Sequence, residues 1–198
     1  MKRTVLLAGV LSLAGCVVSH PTPKQFDLGE FTPPQRPGGV LAANLIIPDV
    51  TQPSWIRTRD IVYRLDYEST DRPQRYVLNQ WVATPAEMVT LRLRQIVQSA
   101  NHGFTVSAPN GVAGNVLQTN IDEFTQSFST PTDSRCVIRL RATLWRADGR
   151  IGAQRVFELQ LPAPTPDASG AARCLATAVD RESGQIVDWL ATAVTPAP

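Results

Sequence analysis

The residues best equipped for chemistry are three cysteines, Cys16, Cys136 and Cys174, in a chain of 198 residues. A thiol becomes a nucleophile or a metal ligand only as the thiolate. None of the three belongs to a CxxC pair, and the two histidines, His20 and His102, share no metal-ligand spacing. No metal site is expected. His102 lies in Asn101-His102-Gly103, where a capping or solvated role is expected. Asp122 and Glu123 are adjacent carboxylates whose side chains would point to opposite faces of a strand. That favours a bulge or salt bridges over paired acid-base work. Ser183 precedes Gly184 inside an amphipathic helical stretch and reads as a solvated surface residue. The chain has no G-x-S-x-G elbow and no phosphate-cradling glycine loop. Neither a catalytic residue nor a cofactor is expected, and an enzyme is not the favoured reading.

The chemistry of Cys16 follows from what precedes it. Lys2 and Arg3 are a short positive region, and Val5 to Leu13 is apolar except for Gly9 and Ser12. Small residues follow. This order marks residues 1–15 as a cleavable export signal. The apolar run is too short to span a bilayer, which takes about 20 apolar residues. Leu13-Ala14-Gly15-Cys16 resembles the lipobox of bacterial lipoproteins. The resemblance implies cleavage before Cys16 and acylation of its thiol and new amine by chains such as palmitate. Each buried methylene adds about 0.8 kcal/mol, so several chains hold firmly. Val17 follows where enterobacterial lipoproteins kept at the inner membrane carry Asp. That resemblance implies a protein anchored in the outer membrane and facing the periplasm.

An oxidising compartment permits a Cys136–Cys174 disulfide. Two buried free thiols, packed as small apolar groups, are the alternative. A bridge closing such a loop would contribute about 4 kcal/mol by chain entropy.

Proline content and periodicity give the organisation. Pro21, Pro23, Pro33, Pro34 and Pro37 make residues 16–38 a semi-extended tether ended by Gly38-Gly39. Phe26-Asp27-Leu28 within it is a candidate edge strand. A single domain is expected over residues 39–195, followed by a frayed tail. Val40 to Ile47 reads as a buried strand, and residues 60–82 as a hairpin turning at Ser69 to Pro73. Thr84, Pro85 and Glu87 form a capping box before a helix whose apolar face is Val89, Leu93, Ile96, Val97 and Ala100. Gly103 is its expected left-handed stop. Phe104 to Ser107 is a short strand. Leu117, Thr119 and Ile121 alternate, and the phase then jumps to Phe124 and Phe128, which predicts a bulge at Asp122 or Glu123.

The next strand puts Cys136, Ile138, Leu140, Ala142 and Leu144 on one face and Arg135, Arg139, Arg141 and Thr143 on the other. Ala147-Asp148-Gly149 turns it back into a strand carrying Phe157, Leu159 and Leu161. Asp167 caps a last helix with Leu175, Val179, Ile186 and Leu190 on its buried face. The expected class is α+β, a largely antiparallel or mixed sheet with two helices packed on one face.

Large side chains in exposed settings are the remaining candidates. Trp55 and Ile56 lie in a loop, and Trp145 lies on the polar face of its strand. All three are candidate partner-binding residues, with cover for core edges as the alternative. The arginines around Arg139 form either a solvated face or a contact for an acidic partner or a neighbouring copy. The formal charge of +2 is supplied by Lys2 and Arg3, so the mature chain is near neutral and no nucleic acid is expected.

Several segments together resemble one family: Phe26-Asp27-Leu28-Gly29, Ile47-Pro48-Asp49-Val50, Pro53-Ser54-Trp55-Ile56, Ile61 to Leu65, Arg75-Tyr76 through Trp81, and Val137 to Ala142. The set is similar to the ABC-type transport auxiliary lipoproteins, the PqiC-like family, over nearly the whole mature chain. Tyr is frequent in that family where Phe26 stands here. The resemblance implies a docking and adapter subunit beside a protein with MCE (mammalian cell entry) domains and an inner-membrane ABC permease and ATPase. Such systems move lipids or other apolar molecules. A lipoprotein carrying an acyl chain in its own cavity is the alternative reading, and a periplasmic hydrolase a distant third. Homo-oligomerisation is left open.

Overall fold

The computed structural model describes residues 21–33, 41–107 and 113–194. The signal at residues 1–15, Cys16, His20, Gly38-Gly39 and the tail from Thr195 lie outside the described residues.

The fold is α+β, an eight-stranded mixed sheet with two long helices. Its spine is a three-stranded antiparallel meander: β6 (Asn115–Thr130), β7 (Asp133–Trp145) and β8 (Ile151–Pro162). The remaining strands are β1 (Lys24–Phe26), β2 (Leu45–Ile46), β3 (Asp60–Leu65), β4 (Pro73–Trp81) and β5 (Thr105–Val106). Strands β3 and β4 form the expected hairpin. The long edge of β6 is shared. Its first half pairs in parallel with β2, which also pairs with β5, and its second half pairs in parallel with β3.

The alternation in β7 explains why the sheet has one wet and one dry face. Cys136, Ile138, Leu140, Ala142 and Leu144 are all fully buried. Opposite them on β6 the register shifts between Ile121 and Glu123, the predicted bulge. The shift returns Phe124 and Phe128 to the dry face after Leu117 and Ile121. Gly149, at φ +83°, closes the β7–β8 turn in a conformation that suits glycine.

Helix α1 (Pro85–Ala100) begins with the expected capping box: the Glu87 N–H donates to Thr84 Oγ1, and the Thr84 N–H donates to Glu87 Oε2. Helix α2 (Ala168–Ala193) begins with Asp167, whose carboxylate accepts from the Gly170 N–H at 2.7 Å. α2 lies across β6, β7 and β8, and α1 packs beside it. Cys136 on β7 and Cys174 on α2 are joined by a disulfide, with Cα atoms 5.9 Å apart.

Several expectations change in three dimensions. Only Leu45–Ile46 of the apolar run before Pro48 forms a strand, and Leu41 pairs instead beside Asn101 at the end of α1. Gly103 does not take a positive φ. Glycine is required there for another reason: a Cβ would sit 2.2 Å from the Ala43 carbonyl oxygen. Ser183 is fully buried rather than solvated, because α2 is covered by the sheet and by α1.

Part of the stretch read as a tether is bound to the folded body. β1 pairs in parallel with β4, and Leu28 is buried in the core. Arg92 of α1, itself 4% exposed, fixes this segment. Its guanidinium donates to the Leu28 and Gly29 carbonyls and to Asp180 of α2 at 2.9 Å. One buried cation thus ties together two helices and the entering chain.

Candidate functional site

Two of the three side chains singled out for partner binding, Trp55 and Trp145, border the wet face of the sheet, on the side away from the buried residues of β7. On β6, Val116, Gln118 and Asn120 stand directly opposite Trp145, Thr143 and Arg141 of β7. Cross-strand partners share a face, so these six residues form one surface. The segment before β3 runs along its border. The Thr51 N–H donates to the Thr119 carbonyl at 3.1 Å, and the Ile121 N–H donates to the Thr51 carbonyl at 2.8 Å.

Two open grooves lie end to end here and meet at Thr51. The first, about 560 Å³, is mainly apolar and is lined by Ile46, Pro48, Val116 and Trp145. The second, about 450 Å³, is polar and is lined by Trp55, Asn120, Asp122 and Arg141. Trp145 is half-buried, and its Nε1–H donates to Gln118 Oε1 at 3.1 Å. Trp55 is half-buried under the Arg64 guanidinium, which lies 5.0 Å from its ring centroid. Ile56 does not belong to the surface. It is 1% exposed, turned into the core by the 3-10 turn at Ser54–Ile56, and cannot be a contact residue.

The charges on this face are already matched. Arg141 makes hydrogen bonds to both Asp122 oxygens, Arg139 pairs with Glu158 at 2.9 Å, and Arg64 pairs with Glu123 at 3.4 Å. The bulge at Asp122 thus gives both neighbouring carboxylates arginine partners on adjacent strands. The Arg139 hydrogen bond holds the Glu158 carboxyl below the usual carboxylate range. Solvent screens such exposed pairs, and they add little to stability. With Arg139 and Arg141 satisfied, this face presents aromatic rings and an apolar groove rather than unpaired charge.

Among the described residues, no group of three His, Cys, Asp or Glu side chains could hold a metal ion. His102 is exposed near the end of α1, far along the chain from any other histidine. No described helix is long and apolar enough to cross a membrane.

Sequence reasoning missed Glu182. It is fully buried on α2, and neither carboxylate oxygen has a hydrogen-bond partner. Burial pushes its pKa up to about 7, against a smaller opposing effect of Arg155 on β8. A signal was present, since Glu182 falls between Val179 and Ile186 on the apolar face of the helix. Arg92 was missed too. It lies on a buried stripe of α1, and its partners are distant in sequence.

The family model of the ABC-type transport auxiliary lipoprotein component matches residues 26–187, from β1 to the last third of α2. The chain belongs to that family. Two solved structures share the fold. Protein XCC0632 from Xanthomonas campestris, a DUF330 protein, is 16% identical, with a TM-score of 0.73 over 86% of this chain and 96% of that one. A crystal structure of an uncharacterized protein is 18% identical, with a TM-score of 0.64 over 85% of this chain and 99% of that one. No curated protein matches the sequence significantly. Membership of the family makes the chain an auxiliary component of ABC-type transport. The grooves beside Trp55 and Trp145 lie within the matched span.

Proposed function

We propose that the protein is the outer-membrane docking subunit of an ABC transport system built on an MCE-domain protein. In this reading residues 1–15 are removed and Cys16 carries the lipid that anchors the domain facing the periplasm. The observation that carries the reading is the pair of grooves along β6, bordered by Trp145 and Trp55 and flanked by charges satisfied within the sheet. A surface with rigid aromatic rings and few unpaired charges suits a protein partner. The alternative, an acyl chain held in an internal cavity, has less support. The space between sheet and helices is filled by side chains such as Ile138, Leu140, Leu175 and Val179, all essentially inaccessible to solvent.

Photo-crosslinking in intact cells tests the proposal. A photoreactive residue replaces Trp145 or Trp55 in the full-length protein, and Val156 on β8 serves as the control position. Capture of the MCE-domain protein from the tryptophan positions and not from Val156 is the expected result. Equal yields from all three positions, or capture of no transporter component, would remove this surface from the mechanism. Cys16→Ser in the same cells should release the protein from the membrane fraction; unchanged sedimentation would remove the anchor.

A further inference from the structure

The grooves account for one face of the sheet and leave an exposed apolar strand at its edge unexplained. Val77 is 87% exposed and Leu78 47%, both in the stretch of β4 where its pairing with β3 shifts register, between Arg75 opposite Val62 and Gln80 opposite Asp60. β4 is paired on its outer side only at Asn79, Gln80 and Trp81, where β1 lies. From Pro73 to Leu78 that side carries no strand among the described residues. A bare, apolar strand edge is a feature that soluble proteins ordinarily blunt.

The direction of β1 says what this edge faces. β1 runs parallel to β4, with Lys24 opposite Asn79. The chain upstream of Lys24 therefore enters from the Leu78 and Val77 end. Cys16 lies eight residues before Lys24. At about 3.3–3.6 Å per residue, that stretch reaches at most about 28 Å. The surface that holds the anchor therefore lies within that reach of Lys24, which stands beside Asn79 next to Leu78. β8, with exposed Val156 and Ile151, lies at the opposite edge of the sheet, beyond β3, β6 and β7.

We propose that the open half of β4 rests on the lipid surface that carries the anchor, with Val77 and Leu78 dipping into the interfacial region. The occupant is a bilayer, and the contact is apolar. Around it Asp66, Glu68 and Asp71 stand against Arg72, Arg75 and Lys24, so the edge carries no net positive charge and attraction to anionic lipid is not what drives the contact. The contact fixes the orientation of the domain: the β4 edge lies against the membrane and the β8 edge points into the periplasm. This inference rests on the acylation of Cys16 in the proposed function.

The test uses the full-length acylated protein in vesicles of phosphatidylcholine and phosphatidylethanolamine. Cys136 and Cys174 are bridged and Cys16 is acylated, so Val77→Cys provides one reactive thiol for an environment-sensitive fluorophore. Val156→Cys provides the comparison. Flotation reports the anchor independently. The expected result is that both variants float, while lipid-borne doxyl groups quench the label at position 77 at least about two-fold more than at 156. Flotation with equal quenching at both positions overturns the membrane contact and leaves the anchor standing. Protection at 77 from aqueous iodide without doxyl quenching also overturns it, because protein rather than lipid then covers the edge. Failure of the acylated preparation to float overturns the anchor and the orientation together.

Discussion

Replacing Glu182 by Gln should make the domain more stable at alkaline pH and much less so at mildly acidic pH. The carboxyl is fully buried on α2 with no hydrogen-bond partner, and burial raises its pKa from 4.5 to about 7. In the unfolded chain it titrates near 4.5. Between these values the folded state binds more protons than the unfolded state, so stability falls as pH rises. Below about 4.5 the group is neutral in both states and the contribution to stability is fully present. It is lost as pH climbs through about 7, because the folded protein then holds an unpaired buried charge.

At about 1.4 kcal/mol per pKa unit, the gap corresponds to a loss of about 3 kcal/mol by pH 8. Arg155 and Glu158 of β8 are the charged groups that act on Glu182, with opposite signs. Both remain in the variant, so subtracting wild type from variant isolates residue 182. The assay is urea unfolding of the oxidised protein at pH 5 and pH 8, with the slope checked for constancy. Glu182→Gln should exceed wild type by about 1 kcal/mol at pH 5, where the unfolded carboxyl is already largely ionised, and by about 3 kcal/mol at pH 8. Glu182→Met should be more stable at both pH values, since an unpaired polar group costs about 1–3 kcal/mol even when neutral. A Gln-minus-wild-type difference that is the same at pH 5 and pH 8 would refute the reasoning, since the buried group would then not titrate between them.

Three further outcomes follow from the fold. Cys136→Ala with Cys174→Ala removes a bridge spanning 38 residues, which should cost about 4 kcal/mol in urea unfolding by the chain-entropy estimate; a loss below about 1 kcal/mol would show that the packing of α2 on β7 already restrains the loop. Thr84→Ala breaks the capping box of α1 and should cost about 1 kcal/mol, read as a lower midpoint at constant slope. Arg92→Met removes the buried hydrogen bonds to Asp180 and to the Leu28 and Gly29 carbonyls. It should lower stability by about 1–3 kcal/mol and expose the chain near Gly29 to limited proteolysis; an unchanged digestion pattern would mean that β1 and Leu28 hold the segment without it.

What the sequence made legible was whatever depends on neighbours along the chain. The capping box at Thr84, the cap at Asp167, the turn at Gly149 and the bulge after Ile121 each follow from residues within a few positions of one another. So did the inward row of β7, which placed Cys136 opposite the helix that carries Cys174. What escaped was set by partners distant in sequence. Nothing near Gly103 announces the Ala43 carbonyl that forbids a side chain there. Ile56 looked exposed because it follows Pro53 in a loop, yet the turn folds it inward. Ser183 looked solvated by residue type and Glu182 was passed over, although their helical position put both on the packed side.

The same division runs through the candidate site, and it bears on how the protein would recognise anything. Trp55 and Trp145 could be singled out from the sequence as large rings in polar settings. That they border a single surface depends on the register of β6 against β7 and on Thr51 pairing beside Asn120. The arginines of β7, readable from the sequence as a solvated face or as a contact for an acidic partner, are matched within the sheet: Asp122 at the bulge takes Arg141, and Glu158 of β8 takes Arg139. A partner that displaced these carboxylates would have to replace hydrogen bonds already made at 2.6–2.9 Å. Burying apolar area in the groove beside Trp145 carries no such cost. Affinity for this face should therefore depend weakly on salt and strongly on Trp145, a combination opposite to the one its run of arginines suggests.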